Sequence, residues 1–356
     1  MQTMNALRKA MEMYLPLVEE ELRRAVAAPH PSVERFYGMM QYHMGWRDSS
    51  LAPAQAPTGK RLRPLLCLLS CQAAGGDPQM ALPAAAAIEI LHNFSLIHDD
   101  IEDNSATRRH RPTVWSLWGQ PHAINVGDGM FALAYLTMGS LTERGVPAER
   151  AHRAERAFQR ACLTLTEGQF LDMYFEETFA ISEEDYLRMI RGKTATLLAA
   201  SAYIGGALAG VPEETAGLLY AFGDALGMMF QIQDDILGIW GEEAVTGKPC
   251  GSDILQRKKS LPLVYAVRRL QEIGDAAAQE RLKEVYHSPE VPAEAVQEVV
   301  TLLDAVGARA YCEELAGRYQ QEALIHLERL AREPFVDQEG ITALRELTHY
   351  LMGRQS

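Results

Sequence analysis

The sequence predicts an all-α protein, and three observations lead to that class. Nearly every long segment repeats its apolar residues at helical spacing. Alanine and leucine dominate those segments, and alternating β-branched runs are scarce. Proline and glycine fall between the periodic stretches, where they punctuate one helix from the next. No internal repeat and no long biased linker divides the chain. All 356 residues are therefore expected to form a single domain, 1–356, with helices around a central cavity.

Helices over 4–27 and 31–46 precede a punctuated stretch, Ala52-Pro53 to Thr58-Gly59. The next, 60–75, stops at Gly75-Gly76-Asp77-Pro78, and 80–103 follows with Pro83 near its start, where a missing N–H costs nothing. Helices at 121–143 and 148–177 flank Gly145-Val146-Pro147. Ser182 ahead of Glu183-Glu184-Asp185 reads as a capped start for 183–209. Gly210-Val211-Pro212 then separates 213–240. The remaining helices are expected over 260–274, 276–287, 292–304, 306–332 and 338–352, with Ser288-Pro289 as a break among them.

Apolar residues make up 47% of the chain, ample for a sizeable core, while a net charge of −13 argues against a nucleic-acid surface. Lysine and arginine sit instead in short groups suited to gripping a small anion. Met1-Gln2-Thr3-Met4-Asn5 leads into a charged amphipathic stretch without a signal peptide's apolar core. No run approaches the roughly 18 apolar residues of a membrane span, so no transmembrane segment and a cytoplasmic location are expected. The five cysteines are scattered without a Cys-x-x-Cys pair, which argues against a zinc or disulfide framework. Cys67 and Cys71, one turn apart, read as core.

Two aspartate clusters carry the chemistry. Asp99 and Asp103 share a helix face, with Asp100 beside them, and repelling carboxylates so placed call for a hard divalent cation. Arg108 and Arg109 follow, and carboxylates beside arginines suit magnesium and, through it, diphosphate. The second cluster, Asp234-Asp235, has Gly238 one turn on, with no side chain to coordinate. The first helix is therefore expected to hold more metal than the second. Lys60 and Arg63, near the start of an apolar helix, make an anion site. Lys193, in Arg191-Gly192-Lys193-Thr194, and Lys258-Lys259 are weaker basic signals, and His92 and His98 lack metal-ligand spacing.

In combination these motifs resemble the trans-isoprenyl diphosphate synthases, the farnesyl and geranylgeranyl diphosphate synthase family. The resemblance runs from Gly59 to Pro262 in family order. It begins with Gly59-Lys60-Arg61-Leu62-Arg63-Pro64, then Leu96-Ile97-His98 before the first acidic cluster, Arg108-Arg109 and Arg111-Pro112-Thr113. Gly127-Asp128, Gly168-Gln169 with Asp172, Lys193-Thr194 and Phe230-Gln231-Ile232-Gln233-Asp234-Asp235 follow. The resemblance implies the all-helical isoprenoid synthase fold, a homodimer, and three magnesium ions per active site, with manganese as a substitute. It implies Asp99, Asp103 and Asp234 as metal ligands, with Asp100, Asp235 and Gln169 behind them. Arg108, Lys193, Thr194, Gln231 and Lys258 would then hold an allylic diphosphate (dimethylallyl, geranyl or farnesyl). Lys60, Arg63, His92 and Arg109 would hold isopentenyl diphosphate. The implied reaction is a head-to-tail condensation with no side-chain nucleophile.

Three departures stand out. Gly238 occupies the last aspartate position of the second motif, and His110 stands where glycine is usual. The stretch Gly241 to Ser252 resembles the family's flap only through Gly247-Lys248 and the later Asp253. For product length, Phe94 lies about 7–8 Å along the helix from Asp99 at about 1.5 Å per residue, and Ser95 beside it leaves room. An aromatic there resembles geranylgeranyl-forming members more than bacterial farnesyl-forming ones. Farnesyl or longer products, a class I terpene cyclase and a non-catalytic subunit of a heteromeric synthase are the rival readings. Against a cyclase stand the separate basic residues and the absence of an Asn/Asp-x-x-x-Ser/Thr-x-x-x-Glu pattern in 224–242.

Overall fold

A computed structural model describes residues 4–176, 178–242, 250–288 and 290–353. The helices are α1 (Asn5–Ala25), α2 (Glu34–His43), α3 (Leu62–Ala73), α4 (Leu82–Glu102), α5 (Val114–Trp118), α6 (Gln120–Gly139), α7 (Ala148–Glu176), α8 (Glu183–Ile190) and α9 (Thr196–Ala209). They continue as α10 (Glu213–Trp240), α11 (Ser252–Leu255), α12 (Leu261–Ile273), α13 (Ala276–His287), α14 (Ala293–Ala305), α15 (Ala308–Leu330) and α16 (Gln338–Met352). Among the described residues the only sheet is a hairpin of β1 (Thr107–Arg108) and β2 (Arg111–Pro112).

The expected helices form with four informative differences. α3 starts at Leu62 because Arg61, at φ 49°, takes the left-handed conformation at its N-cap. The 183–209 helix is one continuous run interrupted by a π turn, Arg191–Ala195. The hairpin and α5 occupy a stretch left without an element, and α11 precedes the Lys258-Lys259 pair. Local chemistry explains the starts that hold: Ser182 Oγ accepts from Asp185 N at 3.1 Å, and Asp275 Oδ1 from Ala278 N at 3.0 Å.

The chain folds into two compact units, each assembled from separated stretches. The first comprises Met1–Gln159, Ser201–Gly217 and Glu333–Leu344, the second Arg160–Ala200, Leu218–Arg332 and Arg345–Ser356. In the first unit α4 is the central helix, packed by α1, α3 and α6. Its alanines 84–87 and Ile88, Ile90 and Leu91 are fully buried, each large side chain contributing about 1.5–3 kcal/mol. The helix Pro78–Glu102 is long and apolar enough to cross a membrane by composition, which the sequence reading missed, but 72% of its most apolar window is buried inside the protein. That apolarity serves the core. Gly127 lets α6 approach α4, since a Cβ there would collide with the His98 ring. In the second unit Met228, Ile232 and Ile236 of α10 pack with Tyr186, Ile190, Leu261 and Leu315. That packing fixes the acidic end of α10. Cys67 and Cys71 are buried core residues, as expected.

Candidate active site

In the first unit α4 ends in acid. Asp103 N donates to Asp99 O at 2.8 Å, closing the last helical turn, so the two side chains stack one turn apart. Asp99 is half-buried and Asp103 exposed. Asp100 turns inward, 2% exposed, and accepts from Arg108 Nε at 2.8 Å. Burial pushes its carboxyl up to about 6, against the Arg108 charge. Its second oxygen, Oδ2, is buried without a hydrogen-bond partner.

The hairpin supplies Arg108. Pairing of Arg108 with Arg111 leaves Arg109 and His110 as the two turn residues, at φ 52° and 61°. Two successive left-handed residues are the geometry of a tight hairpin that normally recruits asparagine and glycine. With side chains present, each costs roughly 1–2 kcal/mol. That strain is held by neighbouring contacts: Thr113 Oγ1 and Trp115 Nε1 both donate to Ser105 O at 2.9 Å. The same turn sends Arg109 the other way, against Gly59, where a Cβ would come within 2.9 Å of Nη2. Adjacent arginines thus face two different groups.

Arg109 joins a basic cluster. Arg63 Nη1 and His92 Nε2 stand 3.2 Å apart. Burial, then the Arg63, Arg109 and Arg108 charges, hold the His92 imidazole well below its ordinary value. It is therefore neutral, with Nε2 accepting from Arg63. Burial likewise pulls the Arg63 and Arg109 guanidinium groups down. Lys60 is exposed at the edge of this group. Arg61, between them in sequence, does something else: it ion-pairs with buried Glu89 at 2.8 Å and with Glu19 at 3.4 Å. Nothing in a Lys-Arg-Leu-Arg run distinguishes that arginine beforehand.

Toward its N-terminal side, α4 presents Phe94, 9% exposed, edge-on to Phe131 of α6 at 5.1 Å and to His98 at 4.8 Å. Phe131 meets Tyr135 at 4.9 Å, and Tyr135 meets Phe158 at 5.3 Å, a ladder of rings within one unit. Ser95 Oγ bonds back to His92 O at 2.9 Å and is half-buried.

In the second unit α10 repeats the acidic theme. Asp234 is exposed, whereas Asp235 is 4% exposed and fully engaged. It accepts from the Tyr186 hydroxyl, from Leu261 N at 3.0 Å and from Gln231 Nε2 at 3.0 Å. Burial pushes its carboxyl up to about 7 despite these donors. Gln231 Oε1 accepts in turn from Thr194 Oγ1 at 2.8 Å. Lys193 beside it reaches Asp172 at 2.5 Å. The π turn places both, and irregular turns of this kind recur at functional sites. Two glycines allow it to touch α7: a Cβ at Gly192 would come within 2.9 Å of Gly168 Cα.

Gly238 has a structural partner that the sequence did not announce. A Cβ there would collide with the carboxylate of Asp253, which is 8% exposed, so Asp253 fills the space one turn after Asp234. Of the lysine pair, Lys258 is exposed, while Lys259 donates to Phe175 O at 2.7 Å and to Glu176 O, closing the end of α7. Gly247-Lys248 lies outside the described residues. Among the described residues no three His, Cys, Asp or Glu side chains converge on a metal-sized site. The donors are paired carboxylates, which fit a hard cation completed by water and phosphate oxygens, as magnesium prefers.

The chain is similar to known proteins along most of its length. Residues 46–303 match the Polyprenyl synthetase family model. A (2E,6E)-farnesyl diphosphate synthase of Mycobacterium bovis is 36% identical over 89% of this chain and 86% of its own. A geranylgeranyl diphosphate synthase of Mycobacterium tuberculosis is 39% identical over 83% of this chain and 82% of its own. Among solved structures, a polyprenyl synthetase from Streptomyces coelicolor superposes with a TM-score of 0.85 at 34% identity, covering 97% of this chain and 98% of that one.

Proposed function

This chain belongs to the polyprenyl synthetase family, and on that premise we propose that it condenses isopentenyl diphosphate head to tail with an allylic diphosphate, giving a short-chain trans-prenyl diphosphate. One observation carries the reading beyond family likeness. A single hairpin delivers Arg108 to the acidic end of α4 and Arg109 to the Arg63–His92 cluster, as an enzyme holding two diphosphates requires. A cyclase, with one diphosphate, has no use for the second.

Asp99, Asp103 and Asp234 are the proposed magnesium ligands, for three ions, with manganese as the substitute. When bound, magnesium neutralises the diphosphate and favours its departure. Arg108, Lys193, Thr194, Gln231 and Lys258 hold the allylic diphosphate and stabilise the charge that grows as its C–O bond breaks. Lys60, Arg63, His92 and Arg109 orient the isopentenyl double bond for attack on the allylic cation. The departing pyrophosphate then takes the proton. Asp100 and Asp235 position rather than bind, since each is buried and engaged. Catalysis uses 1–356 as one domain, and a homodimer would cover apolar side chains that α6 exposes, Leu136 at 71% among them.

Geranylgeranyl diphosphate is the proposed main product: Phe94 is read as the floor for the growing chain, and its contact with Phe131 and the ring ladder behind it support that reading. The test supplies magnesium, isopentenyl diphosphate and each allylic starter in turn, and resolves products by length. Twenty-carbon product that disappears with a chelator is expected, and Phe94→Ala should lengthen it. Product from an allylic diphosphate alone would favour a cyclase. None at all would favour a partner subunit.

A further inference from the structure

α4 buries a carboxylate that the reaction described above does not use. Glu89 is 2% exposed and lies one turn before His92, on the same side of the helix. Its Oε1 accepts from Arg61 Nη1 at 2.8 Å and from Asn93 Nδ2 at 3.1 Å. Arg61 is itself buried, and it reaches the more open Glu19 only at 3.4 Å. A buried ion pair of this kind is weak evidence for stability, because desolvation offsets most of the attraction. What it does fix is position.

Arg61 is a poor residue for the place it holds. It stands at the N-cap of α3, where Ser, Thr, Asp or Asn would bond the first turn, and it makes no such bond. Its backbone is left-handed, at φ 49° and ψ 38°, a region that L side chains disfavour. The grip of Glu89 on its guanidinium holds it there. Alternate residues around it face the basic cluster. Gly59 abuts Arg109, and Arg63 Nη1 stands 3.2 Å from His92 Nε2. Positions 59, 61 and 63 are thus tied inward, and the ion pair is the middle tie. The Glu89 charge also bears on the cluster itself: burial pulls the Arg63 and Arg109 guanidinium groups down, and that charge opposes the pull in both.

We propose that Glu89 is a positioning residue for isopentenyl diphosphate: by gripping Arg61 it sets the turn that aims Lys60 and Arg63 at that substrate. The proposal rests on the assignment of Lys60 and Arg63 given above. Glu89 acts through Arg61 and does not contact the substrate, whose diphosphate a carboxylate would repel. Arg61, although it sits between the two, is no third ligand, since its charge is directed into the core.

Two variants separate positioning from stability. Glu89→Gln keeps the shape but leaves Arg61 buried without its deep counter-ion. Combining it with Arg61→Met removes both charges, which a core tolerates better than one alone. The Michaelis constant for isopentenyl diphosphate should rise about 10-fold in Glu89→Gln, with kcat and the allylic Michaelis constant within about twofold. In the double variant the urea midpoint should recover while that rise persists. An unchanged constant in both variants, or one that recovers together with the midpoint, makes Glu89 a core residue only and overturns the proposal. If Glu89→Gln does not fold, the double variant is judged alone by its Michaelis constant. Arg63→Ala is the control: a rise there with none in either variant rejects Glu89 alone, and no rise in any of the three rejects the basic-site reading itself.

Discussion

The acidic ends of α4 and α10 solve one problem with different chemistry. Each sets a buried carboxylate beside a more accessible one, Asp100 beside half-buried Asp99 and Asp235 beside exposed Asp234. Asp100 is held by a cation, Arg108, on a strained hairpin, and keeps one oxygen unmet. Asp235 is held by three neutral donors from α8, α10 and α12. A carboxylate held by neutral dipoles stays put when charges nearby change. One held by an arginine is coupled to whatever else attracts that arginine, including a diphosphate. On the proposed reaction, the α4 end would respond to ligand and the α10 end would stay rigid.

Removing the proposed liganding carboxylates gives the largest contrast. α4 offers two stacked carboxylates and α10 one, with Gly238 where a second would stand. Asp103→Ala should lower kcat by about 10³-fold and Asp234→Ala by about 10²-fold, the range seen when one preorganised electrostatic group is lost. Steady-state kinetics over a magnesium titration measure both. Equal losses would mean that Asp253, lying over Gly238, makes the two ends equivalent.

Stability should show the reverse order. Asp235→Ala leaves the Tyr186 hydroxyl, Leu261 N and the Gln231 amide without their acceptor in a dry setting, at a cost of about 3 kcal/mol. Asp100→Ala frees Arg108, whose side chain is 30% exposed and turns to water, for about 1 kcal/mol. Urea unfolding midpoints of the two variants decide the order. A larger loss at Asp100 would place the rigid anchor on α4.

Sequence reading reached the helices and the acidic clusters because both follow simple spacings. The i, i+4 rule puts Asp99 and Asp103 on one face whatever surrounds them, and apolar period marks α4 and α10. It did not reach the partners, which come from distant parts of the chain. Tyr186 sits on an apolar helix face where a tyrosine reads as core, and Asp253 lies 15 positions beyond the glycine it covers. Arg61 and Lys259 look equivalent to Arg63 and Lys258, yet packing gives them structural tasks. The Arg191–Ala195 π turn was illegible for a different reason: a helical run with one extra residue per turn keeps ordinary helical composition. His110 was noticed as unusual, but only the left-handed geometry explains why glycine would be easier there.

That geometry yields the smallest effect and the finest test of the contrast. His110 is exposed at φ 61°, so His110→Gly removes a side chain from a conformation that disfavours it. Glycine also gains freedom in the unfolded chain, which offsets part of the benefit. The net expectation is a stabilisation of about 0.5–1 kcal/mol by urea unfolding, with Arg108 still on Asp100. The effect should vanish in an Asp100→Ala background only if hairpin strain and the Arg108–Asp100 contact are coupled. Additive changes would mean that the turn is held by the Thr113 and Trp115 bonds to Ser105 alone, and the responsive character of the α4 end would then rest on the arginine itself.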